Sequence, residues 1–219
     1  MGKYPSLLFV FFLLAFSTNI SDNTWEAIQE NGDSAFFDVI ENYQGEYVAV
    51  GYSTYDSYGG QDMFFCKYSK DGKLKNKNHL GLNKDDVALD VELLPDGQYV
   101  ISGYRKVKAQ SEGVMLKLNS ELKTVWVNIL KPDISSNSLR KTKILDNKQL
   151  VSILGGKVFN YLILTTLEGR ILEEIKIPSL KGEDIVIFEI SSIGAIFKKS
   201  VTRIPLEIKK EVILIPINV

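Results

Sequence analysis

The sequence predicts an all-β protein built from repeated four-stranded units, and three observations carry this prediction. Segments with the same order of residue types recur about 50 residues apart. Each repeat consists of short runs of β-branched and aromatic residues, which are typical of strands. Between the runs lie Asp-Gly and Gly-Gly pairs, whose glycines permit the positive φ angles that tight hairpins require. No stretch shows a convincing helical period.

The repeat is clearest between residues 38–52 and residues 90–104, which match without a gap at an offset of 52. Asp, Val, Gly, Tyr-Val and Gly-Tyr recur in register between these two segments. A weaker third copy covers residues 142–154, and a faint fourth copy covers residues 184–197. Short strands repeated with a period near 50 residues are the pattern of propeller blades. The sequence therefore predicts a β-propeller with four blades.

The strands of the first two repeats can be placed from these patterns. A turn signal, Pro95-Asp96-Gly97, joins two of them, because Pro fixes φ and Gly accepts a positive φ. The first repeat is expected to contain strands at residues 36–41, 46–53, 63–69 and 74–80, and the second at residues 87–94, 98–104, 114–119 and 124–130.

The two ends of the chain complement each other. Residues 24–28 resemble residues 125–129, the last strand of the second repeat, whereas the fourth copy offers only three strands. We therefore expect a strand at residues 24–29 to complete the fourth blade, which would close the ring and remove exposed sheet edges. An open arc of blades is the alternative. The predicted blades cover residues 31–80, 81–130, 131–178 and 179–219, and the last contains strands at residues 185–190, 195–201 and 212–219.

Residues 1–17 have the features of a secretory signal peptide. Lys3 precedes an apolar run at residues 6–16, and Ala15 and Ser17 fit the small residues of a cleavage site. The run is shorter than the roughly 20 residues that cross a bilayer, and no later stretch is apolar enough for a membrane span. The expected location is secreted or extracytoplasmic, at the cell surface or in the periplasm. An uncleaved N-terminal anchor is the alternative.

The composition excludes several classes of protein. With 26 basic and 27 acidic residues and a net charge of -1, the chain lacks the basic excess of a nucleic-acid binder. A single cysteine, Cys66, rules out an intramolecular disulfide framework and a cysteine-based zinc site. A single histidine, His79, rules out a histidine-rich metal centre. No cofactor and no catalytic residue are predicted.

Several short segments together carry a family resemblance. These segments are Tyr52-Ser-Thr, Gly59-Gly-Gln-Asp62, Lys67-Tyr-Ser-Lys-Asp-Gly-Lys73, Asp85-Asp-Val-Ala-Leu-Asp90 and Asp96-Gly-Gln-Tyr-Val-Ile-Ser-Gly103. With them the chain is similar to the SBBP-type β-propeller repeat of secreted and cell-surface proteins, best over residues 25–130. The third copy departs from the pattern, with Asp146-Asn147-Lys148 where the second has Asp96-Gly97-Gln98. The resemblance implies a propeller fold and an exported protein, and it assigns no functional residue.

One predicted loop is unusually aromatic. Tyr52, Tyr55 and Tyr58 lie close together, ahead of a Gly-Gly pair and Asp62. Exposed tyrosines are enriched at recognition surfaces. We therefore predict that Tyr52, Tyr55, Tyr58 and Asp62 contact a ligand or partner. Packing at a blade edge is the alternative.

A second group of candidates is acidic. Asp85, Asp86 and Asp90 are weak calcium candidates, because Ca²⁺ takes six to eight oxygen ligands. Asp33 and Asp38 hold the matching positions of the first repeat, and this recurrence favours a structural role in turns and caps.

These observations favour an exported binding or interaction module over an enzyme. The expected partner is an extracytoplasmic protein or glycan, and no nucleic acid is expected. Two alternatives remain. A propeller-type hydrolase, lyase or quinoprotein-like enzyme would need a polar cluster or cofactor at the ring axis. A structural subunit of a surface array would assemble with itself. The ligand and the oligomeric state are left open.

Overall fold

A computed structural model describes residues 33–55, 57–81, 84–130, 137–145, 148–156 and 159–178, and the backbone of three later strands. The protein is all-β, as predicted, and twelve of the fifteen described strands form three antiparallel four-stranded sheets. The described residues form no helix that has the length and apolar character needed to cross a membrane. The predicted leader and the strand predicted at residues 24–29 lie outside the described residues.

In each four-stranded sheet the strands pair in chain order as a meander. The first sheet contains β1 (Ser34–Glu41), β2 (Tyr47–Ser53), β3 (Asp62–Tyr68) and β4 (Leu74–Leu80). The second contains β5 (Asp86–Leu93), β6 (Tyr99–Val107), β7 (Gln110–Leu118) and β8 (Thr124–Leu130). The third contains β9 (Asn137–Leu145), β10 (Gln149–Gly156), β11 (Phe159–Thr166) and β12 (Ile171–Pro178).

The backbone beyond these sheets forms a three-stranded antiparallel sheet. Its strands are β13 (Glu183–Ile190), β14 (Ala195–Thr202) and β15 (Val212–Pro216), paired in that order. Three complete four-stranded sheets are therefore described where the sequence predicts four blades.

Tight turns join the strands, and their geometry follows from local sequence. In the β5–β6 turn, the N–H of Leu94 donates to the carbonyl of Gln98 at 2.8 Å, and Gly97 has a φ of 78°. The β7–β8 turn has the same pattern of backbone bonds, but Leu122 holds the left-handed position with a φ of 59°. This backbone conformation costs roughly 1–2 kcal/mol for a residue with a Cβ. The fully buried side chain of Leu122, in the core between the first two sheets, offsets that cost.

The three sheets pack face to face in chain order. The first strand of the second sheet and that of the third each lie against the preceding sheet, because β5 contacts β1, β2 and β3, and β9 contacts β5, β6 and β7. Apolar side chains fill both junctions. Between the first and second sheets the core includes Val50, Met63, Phe65, Ala88, Ile101 and Leu116. Between the second and third it includes Val100, Met115, Leu139, Leu150 and Ile163.

A bulge occurs in the first strand of each described four-stranded sheet. The pairing register skips one residue in β1, β5 and β9, at Phe37, Leu89 and Arg140. Gly51 and Gly103 face the first two bulges, where a Cβ would lie 1.8 Å and 2.0 Å from a carbonyl oxygen of the neighbouring strand. Only glycine permits so close a backbone approach. The recurrence of Gly-Tyr in the sequence therefore has a steric cause.

The hairpin of β6 and β7 is longer than the sequence predicts. The expected strands end at residue 104 and begin at residue 114, whereas the ladder continues to the pair Val107 and Gln110. The added residues are mostly polar and lack the β-branched pattern on which the expectation relied. The hairpin turns at Lys108, which has a φ of 55° without being glycine.

Candidate functional site

The tyrosine loop (residues 52–55 and 57–62) lies between β2 and β3, and one carboxylate holds it from within. The backbone N–H of Tyr58 donates to Oδ2 of Asp62 at 3.0 Å, and Asp62 is fully buried. Near the start of the loop, the N–H of Tyr55 donates to the hydroxyl of Ser53 at 3.1 Å. Asp62 therefore shapes the loop from below, and the tyrosines form its accessible part.

A second anchor joins the tyrosine loop to the chain that enters the second sheet. The N–H of Gln61 donates to Oδ1 of Asp85 at 3.3 Å, and the N–H of Asp86 donates to the carbonyl of Gln61 at 2.6 Å. The ammonium of Lys106 holds the other oxygen of Asp85 at 2.5 Å. The hydrogen bond from Lys106 lowers the pKa of Asp85 most, and the bond from the Gln61 N–H lowers it further. Asp85 therefore stays ionised, which keeps the anchor in place.

The three tyrosines of the loop differ in exposure. Tyr58 is 71% exposed and Tyr55 is 37% exposed. Tyr52 is half-buried: its hydroxyl donates to Asp33 at 3.3 Å and its ring lies 5.9 Å from that of Phe37. Burial and the Asp33 carboxylate both raise the pKa of Tyr52. The predicted contact surface thus contains Tyr55 and Tyr58 as outward groups, with Tyr52 packed at its base.

The three acidic candidates lie in different environments. Asp85 is in the loop anchor, Asp86 is buried at the start of β5, and Asp90 is buried farther along the same strand. Within the described ranges, no three His, Cys, Asp or Glu side chains come together as a metal-binding group. Both oxygens of Asp90 bond to the third sheet, Oδ1 to the Lys141 ammonium at 2.7 Å and Oδ2 to the Thr142 N–H at 2.8 Å.

Asp90 belongs to a ladder of equivalent positions on the first strands. Asp38, Asp90 and Lys141 each follow the bulge of their strand. Oδ2 of Asp38 accepts a hydrogen bond from the N–H of Val91 at 3.1 Å. The carboxylates of Asp38 and Asp90 therefore each bond to the next sheet along the chain. Burial raises the pKa of Asp90, and the nearby Asp38 adds to this effect. Burial by itself would lower the pKa of Lys141. The hydrogen bond and the charge of the Asp90 carboxylate have a larger combined effect, and the pKa of Lys141 is raised.

A chain of three buried hydroxyls lies beside this ladder. The Thr142 hydroxyl is 2.5 Å from that of Ser102 and 2.7 Å from that of Ser152. The three come from the second and third sheets and form a further polar connection beside the apolar side chains of that junction. Buried hydroxyls are stable only while each keeps a partner.

We expect Thr142→Val to destabilise the protein by about 2 kcal/mol, because it leaves the two serine hydroxyls buried without their shared partner. Removing all three hydroxyls in Ser102→Ala/Thr142→Val/Ser152→Ala is expected to cost less than the single change. Urea unfolding of the three proteins measures both values. A triple variant less stable than Thr142→Val would contradict this account.

Two of the charged pairs that the sequence analysis did not predict show why. Lys141 reaches Asp90 across 51 residues, and Arg105 pairs with Glu112 across the extended hairpin at 2.8 Å. The only available signal for the first pair was the alignment of the third repeat, in which Lys141 replaces the recurring aspartate. The second pair depends on a hairpin that the sequence pattern did not predict.

The fold resembles that of a solved structure. A crystal structure of a protein of unknown function from Bacteroides caccae, at 1.35 Å resolution, aligns with a TM-score of 0.55 and 11% sequence identity. The alignment covers 82% of this chain and 60% of that chain, so this chain spans less than two thirds of that protein. At this identity the likeness concerns the fold alone. No family model matches the chain, and no curated protein matches it.

Proposed function

We propose that the protein is an exported binding module, and that the tyrosine loop contacts a protein or glycan outside the cytoplasm. The observation that carries this proposal is the exposure of Tyr58 and Tyr55 on a loop whose backbone is fixed by Asp62 and Asp85. A backbone already held by hydrogen bonds, as at Tyr58 and Gln61, loses little entropy on binding, and tyrosine offers a large, rigid contact area. Export is inferred from the apolar leader at residues 1–17.

The proposal includes a four-bladed ring of the SBBP-type repeat, closed by residues 24–29. Burial on the outer faces of the first and third sheets supports it. In the first sheet, Phe64 and Cys66 face away from the second sheet and are each 1% exposed. In the third sheet, Val151 and Ile153 form a further buried cluster outside the junction with the second sheet. Sheets with buried apolar side chains on both faces fit blades that have a neighbour on each side.

The hydrogen bonding of the polar groups on β5 and β9 favours binding over catalysis as the function of the protein. Both oxygens of Asp90 and the ammonium of Lys141 are engaged in bonds that join two sheets. A catalytic acid or base must have an atom within reach of a substrate proton. Their bonding supports a structural role for this pair, which leaves the exposed tyrosines as the stronger candidates for function.

Photo-crosslinking tests the proposal even while the partner is unidentified. A benzophenone amino acid at position 58 is expected to form adducts with surface components of intact cells of the organism that makes the protein. Tyr43 is the matched control, because it is 64% exposed on the β1–β2 turn, at the opposite end of β2 from the tyrosine loop. Adducts from position 58 and few from position 43 would support the proposal. Equal labelling from both positions would contradict it.

A further inference from the structure

A cavity of about 220 Å³ lies between the first and second sheets. Most of its wall is hydrocarbon, from Met63 and Leu80 of the first sheet and from Val114, Val127 and Ile129 of the second. Val127 is 42% exposed, so the cavity reaches solvent at the outer strand β8. A wall that offers few hydrogen bonds holds water poorly. The cavity is therefore suited to an apolar occupant.

The charged side chains at the wall do not change this character. Nε and Nη2 of Arg105 both donate to one oxygen of Glu112, at 2.9 Å and 2.8 Å, so the guanidinium is already neutralised. Asp86 is 4% exposed and also has an interaction partner. A charged ligand would lose its hydration in this cavity without gaining an unpaired counter-charge. The wall therefore favours a neutral molecule.

The equivalent position of the third sheet holds a larger side chain. Gly103 pairs with Val114 in the second sheet, and by the alignment of the repeats the matching pair of the third sheet is Leu154 with Tyr161. Tyr161 is buried in the core between the second and third sheets. A strand of this kind therefore accommodates an aromatic ring at a position where the smaller Val114 lines a cavity.

The volume of the cavity limits the size of its ligand. An apolar cavity of about 150 Å³ holds benzene, so by proportion about 220 Å³ holds roughly nine non-hydrogen atoms. A single six-membered ring with a short substituent has this size.

We propose that this cavity binds a small, neutral, apolar molecule of single-ring size, packed against Met63, Leu80 and Ile129. Removal of hydrocarbon from water supplies the affinity, and the cost of desolvating an ion supplies selectivity against charged molecules. The site uses other residues than the exposed tyrosines of the proposed contact surface, so either assignment can fail alone.

Ethylbenzene, benzylammonium and benzoate test the proposal on the full protein, because they share a phenyl ring and differ in charge. We expect calorimetry to show that ethylbenzene binds at least about tenfold more tightly than either ion, since each ion would be buried without an unpaired counter-charge. Methyl NMR gives the location. Ethylbenzene should shift the signal of Met63 and leave that of Met115, in the junction between the second and third sheets, unchanged.

Val114→Phe should weaken ethylbenzene binding at least about tenfold, because the added ring fills the cavity. Val127→Phe, at the partly exposed mouth, should weaken it as well and keeps the test decisive if Val114→Phe does not fold. Val125→Phe is the matched control. Val125 lies on the same face of β8, is 53% exposed and does not line the cavity, so this variant should bind ethylbenzene like the unaltered protein.

Four results would each overturn the proposal. They are no ethylbenzene binding at about 1 mM, equal affinity for the three probes, a Met63 signal that does not shift, and equal ethylbenzene binding by Val127→Phe and Val125→Phe. Dimerisation that Val127→Phe abolishes in analytical ultracentrifugation would also overturn it, because a second copy of the chain would then cover the cavity.

Discussion

Replacing Gly103 with Ala is expected to destabilise the protein by more than about 3 kcal/mol, the upper range for forcing extra atoms into a packed site. A Cβ at this position would lie 2.0 Å from the carbonyl oxygen of Val87 and 3.1 Å from the Cα of Ala88. Both atoms belong to backbone, so relief requires β5 to move away from β6 at its bulge. Since β5 also packs on the first sheet, such a movement would disturb two junctions.

Gly97→Ala is the matched control for this steric effect. Gly97 has a φ of 78°, and a Cβ there would meet no atom within 4 Å. Its substitution therefore tests backbone strain without a clash, and we expect a loss of about 1–2 kcal/mol. Urea unfolding of both variants gives the comparison. Similar losses for Gly103→Ala and Gly97→Ala would show that close approach at the bulge is not the cause of the recurring glycine in the repeats.

The parts of the fold that the sequence predicted well are those set by local chemistry. The strands β4 and β8 have the predicted bounds, residues 74–80 and 124–130. The turn glycines Gly72 and Gly97 adopt positive φ as expected. A hairpin turn is determined by a few neighbouring residues, so its signal survives in a single sequence.

Features that depend on packing between sheets were not predictable in the same way. Leu122 takes a left-handed conformation that glycine holds elsewhere, because its side chain fills the core between two sheets. Asp62 was predicted as a contact residue, and its complete burial reflects the path of the loop above it. The recurrence of Gly51 and Gly103 was visible in the sequence, but its steric cause appeared only with the bulges.

We expect Asp90→Ala to destabilise the protein by about 2–3 kcal/mol. The change leaves the buried N–H of Thr142 without an acceptor and removes the partner of Lys141. Lys141 is 40% exposed and can regain water, which keeps the loss below that of a fully buried pair. Asp38→Ala is the matched control, because Asp38 makes the equivalent bond to Val91 but is only half-buried. We expect it to cost about 1 kcal/mol.

Asp90→Asn separates the hydrogen bond from the charge. Asparagine still offers an oxygen to the Thr142 N–H, so this variant should be more stable than Asp90→Ala.

Burial raises the pKa of Asp90 above 3.8, so folding favours its protonated form. The contribution of protonated Asp90 to the free energy of unfolding is fully present below pH 3.8, and it is lost as the pH rises through the pKa of Asp90 in the folded state. The unaltered protein should therefore lose stability relative to Asp90→Asn as the pH rises from about 3 towards neutrality, which urea unfolding at several pH values would measure. A gain over the same interval would mean that attraction to Lys141 exceeds the cost of burying the carboxylate.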